Sequence, residues 1–328
     1  MDRRQFSFGL SSSIAALCTA GAMPGARAQA AYPAQTVKVI VALPVGGSVD
    51  MVARVLSQSL ASALGQPFVV DNRAGGSGQI GVPMVSRAAP DGYTLMVSPA
   101  SFLTTNKSIF KSLPYDPEAD FAPITRLVNQ PIVMVVKDLQ AYPSVAAVIE
   151  KAKASPGKLT YASSGDGSPQ HLSGLLFQSR TGTSLLHVPY KGGAPAINDM
   201  LGGQVDMLFA PLPEALPHVK GGKLHALGLM SDQRSPMLAS TPTMRELGIS
   251  DLTLSAWIGL LAPASTPRPI VDKLNQSAHA ILNGAVRAKL GDNGMEVAPG
   301  TPEELRAAIS REIKLHAELV RAAGLVPQ

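Results

Sequence analysis

The sequence predicts an α/β protein with two mixed, mostly parallel sheets and a ligand site between two similarly sized lobes. Three observations carry that expectation. Short β-branched runs alternate with amphipathic segments almost to the end of the 328 residues, the pattern of repeated β–α units. Several of those runs end in glycine- or serine-rich turns that open directly into a helical pattern, and α/β proteins place ligands at such strand ends. The length suits two domains, and neither an internal repeat nor a low-complexity linker interrupts it.

The first unit is strand Val37–Ala42, the turn "LPVGGS" and a helix over Ser48–Leu64. Val52, Val55, Leu56, Leu60, Ala63 and Leu64 fall on one face of that helix, and Gly65 and Pro67 end it. Ser48 stands where an N-cap belongs, and Asp50 is spaced to pair with Arg54 one turn later. Strand Phe68–Val70, the loop "DNRAGGSG", a helix through Arg87 and strand Tyr93–Val97 follow, and the last of these runs into "SPASF". A second group starts near "RLVNQPIVMVVKD". It continues with helix Ser144–Ala154, strand Lys158–Ala162, loop "SSGDGSPQ" and a helix to Ser179. Strand Leu185–Val188, the turn "PYKGGAP", a short helix ending at Gly202-Gly203 and strand Val205–Phe209 come next. "APLPEALPHVKGGK" reads as a connection to strand Leu224–Leu229. After "SAWIGLLAP" come a helix near Pro269–Leu282 and a last helix, which Thr301 and Glu304 open as a capping box. The chain is expected to cross between lobes near 123–130 and 227–233. One lobe then comprises 29–125 and 230–328, the other 126–229.

Residues 1–28 stand apart. A basic start, an apolar middle and small residues around Ala26-Arg27-Ala28 form an export signal with an A-x-A cleavage site. Arg3-Arg4 gives it a twin-arginine look, which an ordinary secretory signal shares. Leu17 before Cys18 is too bulky for a lipoprotein site. Removing the segment through Ala28 takes three arginines and one aspartate from the formal +5 and leaves +3. That charge is too mild for a nucleic-acid protein, and no basic cluster is interleaved with aromatics. The sole cysteine leaves with the signal, so the expected mature chain has no disulfide, thiol nucleophile or cysteine metal site. No apolar run beyond the signal approaches the roughly 20 residues of a membrane span. The expectation is a soluble, exported, periplasmic monomer.

Candidate ligand groups sit at the strand ends. In "PVGGS", Gly46 and Gly47 strip side chains from the approach to a helix start, where backbone N–H groups and the helix dipole attract anions. A turn followed by a serine cap explains the same residues without a ligand. Ser163, Ser164, Gly165 and Ser168 in "YASSGDGSPQHL" offer hydroxyls and N–H donors together, with His171 in the next helical turn. Tyr190, Gly192 and Gly193 in "HVPYKGGAP" supply a third strand end, where backbone is favoured over Lys191. Ser98 and Ser101 end another strand, and Ala210 follows the strand Val205–Phe209.

Gly76, Gly78 and Gly81 match G-x-G-x-x-G, but "DNRAG" separates them from the strand and the Walker pattern is absent. No nucleotide cofactor is expected. No G-x-S-x-G or H-E-x-x-H occurs, and no histidine lies at metal-ligand spacing from another. No metal is expected either. A catalytic reading survives only as an exported hydrolase of a small ester or amide, using a cleft serine such as Ser164 with His171.

The ordered set "YPAQTVKVIVALPVGGSVDMVAR", "LGQPFVVDNRAGGSGQIG", "APDGYTL", "LPYDPEADFAPIT", "YASSGDGSPQHLSG", "HVPYKGGAPAINDMLGGQVDMLF", "GKLHALGLMS" and "WIGLLAPASTPRPIVDKLN" strongly resembles the Bug receptors. These are the periplasmic solute-binding proteins of tripartite tricarboxylate transporters, and the similarity spans the chain beyond the signal. The resemblance implies a Venus-flytrap fold whose lobes close on a small carboxylate, such as an organic acid, an acidic amino acid or an aromatic acid. It implies a carboxylate held by the loop Pro44–Ser48, a second-lobe loop at Ser163–Ser168 and the turn Tyr190–Gly193. The expected partners are membrane components of such a transporter or a sensor protein. Where the family carries an aromatic and a small residue before Gly-Gly, this sequence has Leu43 and Val45, which implies a more aliphatic pocket mouth and a shifted ligand choice.

Overall fold

The computed structural model describes residues 32–284, 286–322 and 327; the export signal read over 1–28 lies outside them. In chain order the elements are β1 (Val37–Val41), α1 (Ser48–Leu64), β2 (Phe68–Asn72), α2 (Gly81–Ser86), β3 (Thr94–Pro99), α3 (Ala100–Thr104) and α4 (Asn106–Ile109). Then come β4 (Phe121–Val136), α5 (Val145–Ala154), β5 (Thr160–Ser163), α6 (Pro169–Thr181), β6 (Leu186–Pro189), α7 (Gly193–Gly202), β7 (Met207–Pro211), α8 (Leu212–Lys220) and β8 (His225–Leu229). The last are β9 (Ser255–Pro263), α9 (Arg268–Asn283), α10 (Val286–Gly291), β10 (Glu296–Val297) and α11 (Pro302–Ala322).

The helix expected over Ser48–Leu64 forms over those residues and stops at Gly65, whose φ of 73° is the left-handed conformation that ends helices. The capping box is built as read: Glu304 N–H donates to Thr301 Oγ1 at 3.1 Å, and Thr301 N–H to Glu304 Oε2 at 2.8 Å. Two readings change. Ser48 is the first helical residue, and Gly47 holds the N-cap position with no side-chain hydrogen bond. The stretch read as a connection after β7 forms α8, with Pro213 in its first turn and Pro217 inside. Burial of Leu212, Ala215 and Leu216 on one face outweighs the breaker.

The sheets are mixed, and the pairing divides by position. Strands β1, β2 and β3 pair parallel, as do β5, β6 and β7. The central strands pair antiparallel, β9 with β3 and β4, and β4 with β7 and β8. The 16-residue β4 serves both halves. Its residues through Pro131 pair with β9, and from Ile132 onward it pairs with β7. The strand order β2-β1-β3-β9-β4-β7-β5-β6 is therefore continuous. Around the first half, Ile40, Met96, Phe121, Trp257 and Leu261 form one core. The second half has a core on each sheet face, since Met134 packs with Tyr161, Phe177 and Phe209, while its neighbours Val133 and Val135 pack with Leu208 and Leu216. Alternate β4 residues thus feed opposite layers, as period-two side chains must. The topology brings the carboxyl ends of β1, β3, β5, β6 and β7 toward one cavity at this junction.

Candidate functional site

The first loop is braced from below. Asp50, 3% exposed, accepts from Gly46 N–H at 3.0 Å, from Arg54 Nε at 2.9 Å and from Asn72 Nδ2 at 3.0 Å. Asn72 also donates to Leu43 O at 3.1 Å. Burial opposes ionisation of Asp50, but Arg54, the Gly46 N–H and Asn72 together hold its carboxyl below the ordinary carboxylate range. The Asp50–Arg54 pair read from the sequence is present, and Asp50 additionally takes up the Gly46 N–H. Gly46 needs its glycine, at φ 94°, whereas Gly47 is ordinary extended backbone at φ −79°. Asp50→Ala is expected to cost about 2 kcal/mol, because it strands the Gly46 N–H and the Asn72 amide; urea unfolding checks it.

Beyond this brace lies a cavity of about 470 Å³. Val45, Gly47 and Ser48 line it, as do Ser101, Ser164, Gly165, Ser168, Gly192 and Gly193. All are candidates from the sequence, contributed by the ends of β1, β3, β5 and β6. The other candidates fall outside the lining. Gly46 is turned to Asp50. Buried Ser98 donates to Pro99 O, and Tyr190 donates its hydroxyl to Asp199 Oδ2 at 2.8 Å. Ala210 is buried in β7 opposite Val133. Ser163, fully buried, lies 2.6 Å from His187 Nε2. His171 is buried too, its Nδ1 accepting from Gly167 N–H at 3.1 Å.

Ser164 and His171 are not partners: Ser164 Oγ donates to Gln170 Oε1 at 3.0 Å. The histidines form a different cluster. His171 and His187 stack with centroids 3.8 Å apart at 7°, and Asp166 Oδ1 lies 3.7 and 3.6 Å from their Nδ1 atoms. This trio has the residue types of a metal site. Parallel rings keep their lone pairs in separate planes, so they do not converge on one cation at ordinary ligand distances. The Ser163–His187 contact has a catalytic look, but Ser163 has no exposed surface through which a substrate reaches it.

A family model described as the tripartite tricarboxylate transporter family receptor matches residues 52–325. The chain belongs to this receptor family. It is 38% identical over 295 residues to protein BugT of Bordetella pertussis, covering 89% of this chain and 90% of that one. Among solved structures it is similar to R. palustris Rpa4515 with adipate, at TM-score 0.83 and 33% identity over 90% of this chain and all of that one. It is also similar to MatC from Rhodopseudomonas palustris with bound malate, at TM-score 0.79 and 31% identity over 88% of this chain and all of that one. These neighbours share the two-lobed α/β fold of periplasmic binding proteins.

Sequence reading missed several side chains that this family receptor brings to the cavity, among them Ser77, Gln130, Gln170, Glu214 and Trp257. Trp257 is fixed from behind, donating Nε1–H to Glu312 Oε2 at 2.7 Å. Gln130, on β4 beside the partner switch, is 4% exposed, and its Nε2 has no hydrogen-bond partner. A buried amide donor left unpaired is costly, and this one belongs to a cavity-lining residue. A polar pair, Asn129-Gln130, set just before the apolar run "PIVMVV" was the signal for it. Glu214 follows β7 as the other loops follow their strands, and reading α8 as a connection hid it.

Proposed function

We propose that this receptor captures a small carboxylate in the periplasm and presents it, unchanged, to the membrane components of a tripartite transporter. One observation carries the reading. The N-terminus of the 17-residue α1 has no side-chain cap, and its first-turn residues Ser48, Val49 and Asp50 line the cavity. N–H groups there with a positive helix end suit an anion. By contrast, Ser168 caps α6 by accepting from His171 N–H. The unpaired Gln130 amide adds a donor to the same cavity, and the similar structures with adipate and malate fit the class.

Magnitudes require closure. A helix terminus contributes up to about 2 kcal/mol, whereas micromolar affinity needs about 8 kcal/mol. The two lobes, 29–125 with 230–328 and 126–229, then close over the ligand about the two crossings, near 123–130 and 227–233, adding contacts and removing water. Cleavage after Ala28 accompanies export, and the receptor acts as a monomer. No described helix is long and apolar enough to cross a membrane.

Calorimetry of the intact protein against a panel of small carboxylates, with product analysis, tests the reading. Stoichiometric binding with the ligand recovered intact is expected. Turnover would instead establish the hydrolase.

A further inference from the structure

We infer that Glu214 makes the far end of this cavity selective for an ammonium group, so that the preferred ligand is a zwitterion rather than a dicarboxylate of equal length. The inference rests on the carboxylate reading above and adds what the other end of the ligand must be.

Charge is unevenly distributed around the cavity. At the α1 end, Asp50 is paired with Arg54 and bonded to the Gly46 N–H, and the remaining donors are backbone N–H groups and the buried, unpaired Gln130 amide. Across the junction stand two carboxylates, Asp166 and Glu214, and Lys191 is the basic residue lining that side, at an exposed position. Asp166 already has the stacked imidazoles of His171 and His187 beside it. Glu214 has no basic partner among the described residues. Its hydrogen-bond partner is Gln170, whose Nε2 donates to Oε2 at 3.3 Å while Ser164 holds the other end of the same amide. A chain of two side chains thus aims the carboxyl from the β5 loop.

Glu214 also fits closely against the start of α7. A Cβ at Gly193 would lie 2.6 Å from Glu214 Oε2, so the missing side chain leaves room for the carboxyl. The α7 N-terminus, which has no side-chain cap, therefore has an anion without a basic partner beside it, whereas the carboxylate in the first turn of α1, Asp50, is already paired with Arg54. A ligand carboxylate belongs at α1. A second carboxylate opposite would face Glu214 and Asp166, and like charges repel. Burial pushes the Glu214 carboxyl up to about 7, so the carboxylate form is the main one at pH 8. An ammonium group supplies the missing charge and the hydrogen-bond donors together.

The test is calorimetry of the intact receptor at pH 8, with two series matched in length: γ-aminobutyrate, glutarate and butyrate, then δ-aminovalerate, adipate and valerate. In at least one series the amino acid is expected to bind about ten-fold more tightly than the dicarboxylate. Glu214→Gln is expected to collapse that ratio to near one or invert it, and a thermal melt of the variant reports its folding. The wild-type ratio is informative without any variant. Dicarboxylates binding more tightly than their amino counterparts, or a ratio unmoved by Glu214→Gln, would overturn the inference while leaving the carboxylate reading intact. If no acid in either series binds, both fall together.

Discussion

Gly47→Val is expected to reduce carboxylate binding by at least about a hundred-fold, some 2.7 kcal/mol, while the protein still folds. Residue 47 has φ −79° and ψ 173°, an extended conformation that valine adopts readily. An ideal Cβ there meets no heavy atom within 4 Å. The added side chain therefore starts in open space, and it stands on the cavity lining in front of the uncapped α1 N–H groups. Losing a tolerable N-cap costs about 1 kcal/mol, a shift of roughly 2–4 °C in a domain this large. Gly46→Val separates the two effects. At φ 94° it strains the backbone and disturbs the N–H bond to Asp50, so it lowers the melting temperature as well. Calorimetry paired with thermal melts distinguishes them. If Gly47→Val binds normally, the first loop is only a turn.

Acid is expected to remove about 3 kcal/mol of stability, net, between pH 7 and pH 4.5, because the buried histidines lose more there than Glu214, raised to about 7, gains as the folded chain takes up its proton. Burial holds His171 in its neutral form, with His187 adding to the effect and Asp166 opposing it, and its pKa falls to about 4. Burial alone brings His316 to about 4, where Thr105 Oγ1 sits 3.0 Å from its Nδ1. His187 is lowered by burial as well, against the pull of Asp166. In each case the folded pKa lies below the unfolded value near 6.5, so the unfolded chain binds more protons between the two. Stability is then complete above about pH 6.5 and drains away as pH falls toward 4, at roughly 3 kcal/mol for a full 2.5-unit difference. Asp50 and Asp206, whose pKa values are depressed, act in a separate window below pH 3.8. Urea unfolding at pH 7.5, 6 and 4.5 reads the slope, and His316→Asn should flatten it. If His316→Asn leaves the change between pH 7.5 and 4.5 unaltered, that ring is protonated inside the fold.

Much of the fold was legible because its signals are local. Gly65 and the Thr301–Glu304 box fix helix ends through contacts within four residues. The β–α alternation is visible wherever apolar periodicity switches from two to 3.6. The short helices α3, α4 and α10 and the two-residue β10 carry too little periodicity to register. The prolines of α8 pointed the wrong way, because tertiary burial of Leu212, Ala215 and Leu216 outweighs an intrinsic penalty.

For the site, the sequence determined that strand ends rich in glycine and serine open into helices, and that an anion suits such places. Which of those residues face the cavity was decided by tertiary structure. Ser163 and Ser164 are neighbours of the same type, yet the first turns inward to His187 and the second lines the cavity, because successive side chains at a strand end point to opposite faces. Ser98 and Ser101 divide in the same way, one buried against its own backbone and the other in the first turn of α3. Gln130 and Glu214 become site residues only because β4 runs unbroken through both halves and carries distant strand ends to one place. Convergence of that kind depends on pairings made across the whole chain, and no window of adjacent residues contains it.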